Sequence, residues 1–431
     1  MAKNTPKEYR NQVMYSVFVR NHSQEGTFEA VRRDLGRIHA LGVDIIWLMP
    51  IHPIGKQARK GGEGSPYAIS DYRVVHPDYG TLEDFQRLVE EIHHLGMKCI
   101  IDVVYNHTSP DSWLAQHHPE WFYHKADGSL GNRVGDWSDV VDLDYANPGL
   151  WDYQIETLKY WASMVDGFRC DVAPLVPLDF WLRAREEVEK VRPGCIWLAE
   201  SVEPEFIQFA RGHGIQALSD SEIFQAFDIS YEYDILSYYR GCLEGTLPLS
   251  RYAEAVTQQE SIYPDNYVKL RYLENHDRLR AAAAIPGEAA LLNWTVFLYF
   301  QKGMTLLYGG QERSCAHLPN LFEKDPVDWS SGPDLSQLMG QLYQLKRNPL
   351  LTDSTYRVQA LPGEILLAVH QSSGRRLTGI FSLKGNCGLV PVEAPDGIYP
   401  NLAGGGSVEV KFGRVSCLGR PMIFESASLT T

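Results

Sequence analysis

Short apolar runs alternate with amphipathic stretches along the chain up to about residue 350. Val13–Val19 and VDIIWL (43–48) read as strands, with a helical pattern over Thr27–Gly42 between them. A second helix is expected over Thr81–Gly96, where Thr81 and Asp84 are spaced as an N-terminal cap. MKCIIDVVY (97–105) is a continuous apolar run, the pattern of a strand buried on both faces. The rhythm then breaks over 106–147, which is rich in His, Asp, Gly, Trp and Pro and too long for an ordinary connection. It resumes with helix 149–165, strand 166–171, helix 177–192, strand 195–200, helix 204–212 and strand 215–219. A mostly helical region, 222–266, precedes strand 268–273, helix 287–302, strand 304–308 and helix 335–347.

Eight strands, each followed by helical sequence, imply parallel pairing with right-handed crossovers. The expected fold class is α/β: a (β/α)8 TIM barrel over 1–348, with a short inserted subdomain after strand 3 at 106–147. An open doubly wound sheet is the alternative, but it does not require eight regular units. Beyond the barrel, short strand-like runs such as EILLAVH, LTGIFSL and VEVKF are separated by turn residues, so 349–431 is expected to form an antiparallel β domain.

In such a barrel the working groups stand at the C-terminal ends of the strands. Strand 3 ends in DVVYNHT, with Asp102, Asn106 and His107. Strand 4 ends in GFRCD, with Arg169 and Asp171; strand 5 ends in WLAES, with Glu200. Strand 7 ends in LENHDR, with Asn275, His276 and Asp277. A lone Asp at a strand end is more often a helix cap than a catalyst. Recurrence of carboxylates, an arginine and two histidines at four strand ends points instead to one site. Period-2 alternation puts Arg169 and Asp171 on one face, where the guanidinium favours the ionised carboxylate. Glu200 sits in apolar sequence, as a general acid requires. Strands about 5 Å apart bring such a pair to the roughly 5–5.5 Å separation of a retaining glycosidase.

Composition narrows the field. The net charge of −14 argues against binding a phosphate backbone, so no nucleic-acid partner is expected. No apolar run reaches membrane-spanning length, and no membrane partner is expected. The seven cysteines show no paired spacing, Cys99, Cys170 and Cys195 lie in apolar runs, and the N-terminus lacks a signal-peptide core. The expectation is a cytoplasmic enzyme; the oligomeric state is not specified by the sequence.

The segments DVVYNH, GFRCDVA, LAES and ENHD, in this order, resemble the four signature regions of the α-amylase family, glycoside hydrolase family 13. SPYAISDYRVVHPDYGTLEDFQRLV, DLDYANPGLWDY and LLYGGQE support the resemblance, which covers about residues 10–345. It implies Asp171 as nucleophile, Glu200 as general acid/base and Asp277 as transition-state stabiliser. It implies that Arg169 orients Asp171, that His107 and His276 bind the reacting sugar, that Tyr67 stacks on it, and that Asp102 is the structural aspartate of the first region. Asn106 matches the family's first calcium ligand. Pro174 and Leu175 replace the Lys-His pair that usually follows the nucleophile, and that departure argues against a complete calcium site. The chemistry itself is expected to need no cofactor. The insertion is short for the family. Its paired His117 and His118 lack the spacing of a metal motif and read as loop groups, and the aromatic residues of WLAQHHPEWFYHK (113–125) are candidates for a sugar-binding face.

The implied activity is retaining hydrolysis of α-glucosidic bonds, α-1,4 foremost, in maltooligosaccharides or starch-derived glucans. A glucanotransferase or sucrose-acting transglycosylase uses the same triad, and Val172 after the nucleophile keeps an α-1,6-acting glucosidase in view. A non-catalytic carbohydrate-binding barrel is the reading from another class, against which all three carboxylates count.

Overall fold

The computed structural model describes every residue except Met1, Lys3, Asp136, Ser373 and 429–431. Eight parallel strands close into a barrel: β1 (Val13–Val17), β2 (Ile45–Leu48), β3 (Lys98–Val103), β4 (Gly167–Cys170), β5 (Ile196–Ala199), β6 (Ile229–Tyr231), β7 (Lys269–Arg271) and β8 (Met304–Tyr308). Each pairs with its neighbours in sequence, and β8 closes the ring on β1. Helices α1 (Phe28–Ala40), α2 (Leu82–His94), α3 (Pro148–Ala162), α4 (Leu178–Glu189), α5 (Pro204–Gly212), α6 (Leu249–Ile262), α7 (Glu288–Phe300) and α8 (Ser336–Lys346) follow the strands in turn. The cap of α2 is a full capping box: the Thr81 side chain accepts from the Asp84 N–H, and Asp84 accepts from the Thr81 N–H.

The sixth strand is not where the apolar pattern put it. Residues 215–219 are irregular, and β6 lies at Ile229–Tyr231, inside the stretch expected to be helical. The backbone of 215–219 spends its hydrogen bonds elsewhere. The Leu218 N–H donates to the Pro174 carbonyl, the Ala217 carbonyl accepts from Arg211 Nε, and Ser219 caps a short helix at Asp220–Ile223. Three residues flanked by acids, DISYE, make too short an apolar signal to compete.

Alternation along the strands sorts side chains into two cores. Met14, Ile45, Trp47, Ile100, Leu198, Ile229, Tyr231, Leu270 and Leu306 fill the barrel. Their neighbours, such as Tyr15, Ile46, Ile101, Phe168 and Trp197, pack outward against the helices. In register, Asp102 of β3 lies beside Arg169 of β4, and Arg169 beside the inward Leu198 of β5. Counting on by two carries Asp171 and Glu200 to the inner face just above the apolar layers.

Within the excursion, His107–Thr108 pairs antiparallel with Val141–Asp142. After the barrel, strands between Thr355 and Ala427 form two four-stranded antiparallel sheets with their own apolar core. The first sheet is anchored to the barrel helices: the Thr257 hydroxyl exchanges hydrogen bonds with the Val358 backbone, and the buried His370 ring lies 2.9 Å from the Phe300 carbonyl. All seven cysteines are free, and Cys99, Cys170 and Cys195 are buried. No described helix is long and apolar enough to cross a membrane.

Candidate active site

Arg169 is the hub of the barrel mouth. It is fully buried, and its Nη1 donates to Asp102 Oδ1 at 2.9 Å and to Asp171 Oδ1 at 2.8 Å. Its Nη2 lies 2.9 Å from Glu200 Oε1, close enough to pair the charges although not aligned as a hydrogen bond. The rings of Trp47, Tyr67 and Tyr231 surround the guanidinium at 5.2–5.6 Å, distances at which cation–π attraction contributes. One cation thus bridges three carboxylates on three adjacent strands.

Glu200 and Asp171 present their remaining oxygens differently. Glu200 Oε2 accepts the Val172 backbone N–H at 2.8 Å. At that turn Val172 is left-handed, with φ 34° and ψ 45°. A β-branched residue rarely adopts this conformation, and such strain gathers at functional sites. Asp171 Oδ2 is 3.9 Å from His107 Nε2, and both residues line the cleft.

Burial pushes the Glu200 carboxyl well above its ordinary range; Arg169 opposes the rise, while Asp171 and Asp277 add to it. Burial likewise pushes Asp102 up to about 7 against the pull of Arg169. His276 is shifted down by burial and is the neutral ring at neutral pH. Its Nε2 lies 2.7 Å from the Tyr67 hydroxyl and 3.1 Å from Asp277 Oδ2, and its ring stacks on Tyr67 at 5.4 Å. The Tyr67 hydroxyl also donates to Asp102 at 3.2 Å. Asp277 is the most open of the carboxylates, its side chain 39% exposed.

These groups share one cleft of about 280 Å3, lined by Tyr67, His107, Asp171, Glu200, His276 and Asp277. Arg169 and Asp102 lie beneath its floor. The sequence-derived set is therefore brought together, apart from Asn106, which faces away. Missed in the sequence were Lys60, Trp137, Asp139, Leu321 and Phe322, which line the same cleft from three loops. The only local signal was the glycine run KGGEG at 60–64. The backbone role of Val172 had no signal at all. Of the insertion's aromatic rings, Trp137 lines the cleft. Trp113 stacks on His117 and Tyr153, and Trp121 on His118 at 3.8 Å, so those rings are occupied with one another.

Around Asn106 the acidic acceptors are shared with a guanidinium. Its side-chain amide nitrogen is 3.2 Å from His107 Nδ1. Nearby, the Arg133 guanidinium donates to the Leu143 carbonyl at 3.3 Å and stands 3.7 Å from Asp142 and 3.8 Å from Asp144. That guanidinium stands beside those acceptors without hydrogen-bonding either carboxylate, and Asp142 Oδ1 is buried without a partner among the described residues. Among the described residues, no group of three or more His, Cys, Asp or Glu is set to hold a metal.

The model of the alpha-amylase catalytic domain matches residues 12–129 and 115–349. The chain belongs to the α-amylase family. A bacterial alpha-amylase C-terminal domain model matches 357–424. The α-amylase fold here superposes on a crystal structure of an alpha-amylase from Lactobacillus plantarum with TM-score 0.95 and 46% identity, covering 97% of this chain and 99% of that one. A noncanonic maltogenic alpha-amylase from Thermotoga neapolitana gives TM-score 0.86 at 31% identity, covering 97% and 99%. Among curated proteins, an alpha-1,4-glucan:maltose-1-phosphate maltosyltransferase from Salinibacter ruber is 34% identical over 225 residues, 46% of this chain and 34% of that protein. The chain spans about a third of the length of the curated relatives it matches. It is an α-amylase-family enzyme whose relatives include both hydrolases and transferases of α-glucans.

Proposed function

We propose that the protein is a retaining glycoside hydrolase that cleaves α-1,4 bonds of maltooligosaccharides or starch-derived glucans by double displacement. The observation that carries the reading is the single Arg169 guanidinium holding both the Asp171 and Glu200 carboxyls. A bridge of that size suits the carboxyl spacing of about 5–5.5 Å used with retention.

In the first step, Asp171 Oδ2 forms a bond to the anomeric carbon as the glycosidic bond breaks. Glu200, whose hold on its proton is strengthened by burial, gives that proton to the departing oxygen. In the second, Glu200 takes a proton from water, whose oxygen bonds to the same carbon as the Asp171 ester breaks. The open Asp277 carboxylate faces the positive charge that builds on the ring between these states. Tyr67, His107 and His276 line the space of the reacting sugar and offer an aromatic face and hydrogen-bonding nitrogens. Asp102 positions Arg169. The working unit is the barrel over 1–348 with its insertion at 106–147, and 349–431 is an appended β domain. Seven unpaired thiols suit a reducing, cytoplasmic compartment.

A second reading keeps this chemistry and replaces water by a sugar hydroxyl. It is favoured by the similarity to maltosyltransferases. Maltoheptaose digested over time and separated by chain length distinguishes the two. Only shorter products are expected; products longer than the substrate would make the enzyme a transferase, and an uncleaved substrate with folded protein would overturn the α-1,4 hydrolase reading.

A further inference from the structure

The direction of the substrate follows from the barrel itself, given the roles proposed above. The leaving oxygen must reach Glu200, so the departing part of the glucan passes over β5. In the closed ring β5 stands opposite β1, whose neighbours are β2 and β8. The retained sugar is joined to the rest of its chain at the end away from the bond that breaks. That part, which runs to the non-reducing end, therefore heads for the loops after β2 and β8.

There the two loops are fastened together. The Phe322 carbonyl accepts the N–H groups of Glu63 at 2.9 Å and Gly64 at 3.2 Å, and Glu323 accepts the Gly62 N–H at 2.8 Å. Arg20, buried beneath, donates to the carbonyls of both Gly64 and Leu321. The glycines allow this approach: a Cβ on Gly61 would lie 2.7 Å from the Phe322 carbonyl, and one on Gly62 2.8 Å from Glu323. Lys60 continues the rim to the insertion, its ammonium 2.8 Å from the buried Asp139 carboxylate. The cleft that this rim borders, about 280 Å3, is at the small end of ligand sites, which run from about 300 to 1,000 Å3.

We infer that this rim is a stop for the non-reducing end of the glucan, so that the enzyme works from chain ends and removes one or two glucosyl units. Lys60 and Asp139 offer a donor and an acceptor to the hydroxyls of the terminal ring, and Leu321 and Phe322 give it an apolar wall. The inference rests on the proposed function and adds to it the substrate class, glucans with a free non-reducing terminus. It also sets the mode of action.

The test compares maltoheptaose with maltoheptaose whose terminal non-reducing glucose carries an acetal across O4 and O6. The unblocked substrate should release a single small product from the earliest times, and the blocked one should react more slowly by roughly 100-fold or more, as expected of a steric clash with the rim. Equal rates, or early products of every length, would overturn the stop and leave the α-glucan reading intact. Cleavage of neither would overturn that reading and the stop with it. In K60M, checked for folding by its melting curve, the gap between the two substrates should narrow by about tenfold or more. An unchanged gap would overturn the assignment of the stop to the Lys60–Asp139 rim.

Discussion

Two clusters of buried charge in this barrel are built from similar parts and differ in what surrounds them. Inside the mouth, Arg169 stands among Asp102, Asp171 and Glu200. Behind the wall, on the outer face of β7, Lys269 stands between Asp220 and Asp234. In both, one cation serves more than one carboxylate. The outer cluster is closed by neutral partners: the Tyr263 hydroxyl lies 2.9 Å from Asp234 and 3.3 Å from Asp220, and Gln259 donates to Asp234 at 2.7 Å. The inner cluster is open to a cleft, leaves Arg169 Nε and Nη2 without aligned acceptors, and leans on a left-handed valine. Residue type does not separate a structural ion cluster from a chemical one. Carboxylates that line a cleft do.

The comparison breaks most sharply if the two clusters are exchanged in role. D171N or E200Q should cut kcat by roughly 1,000-fold or more while the melting temperature stays near that of the parent. Loss of stability with activity retained would reverse the assignment. K269M should do the opposite, costing about 3–5 kcal/mol because two carboxylates are left buried without their cation. Chemical denaturation measures it, and kcat per folded molecule should be unchanged.

A smaller change sharpens the role of strain. V172G relieves about 1–3 kcal/mol of unfavourable backbone but adds about 0.5–1 kcal/mol of unfolded-state freedom, so stability should rise by about 0–2.5 kcal/mol. The Val172 N–H favours the ionised Glu200. Loosening that N–H should shift the alkaline limb of the kcat/KM profile to higher pH. An unmoved limb would show that the turn serves packing alone.

Asp102 gives the next effect. Its folded carboxyl is pushed up to about 7, against about 3.9 when unfolded. The folded state binds the proton more tightly, so the stability Asp102 contributes is complete below about pH 4 and lost as pH rises through about 7. D102N should flatten the fall of melting temperature over that window, and an unaltered slope would assign the titration elsewhere. The smallest effect is expected from chelation: EDTA should leave both melting temperature and activity unchanged, because the Arg133 guanidinium already stands beside Asp142 and Asp144. A drop on chelation would reveal an ion bound only by the folded state.

The barrel was legible because its strands are short apolar runs in a fixed rhythm, and that rhythm is a local property. β6 escaped because ISY carries little of the signal, while IQALS, which carries more, is held by Pro174 and Arg211. The strand-end residues were legible for a related reason: parallel strands of a closed barrel deliver their C-terminal ends to one face, so local positions suffice to gather them. What local sequence lacks is distance. The approach of Gly61–Gly64 to Phe322 and Glu323, the Lys60–Asp139 bridge, the reach of Arg133 to Asp142 and the aim of the Val172 N–H each join parts of the chain by packing. The sequence by itself determined the fold class and the inventory of charged groups at the strand ends. Only the tertiary structure decided which carboxylates share a cation, which loops border the cleft and which charges line it, because those depend on contacts that no periodicity encodes.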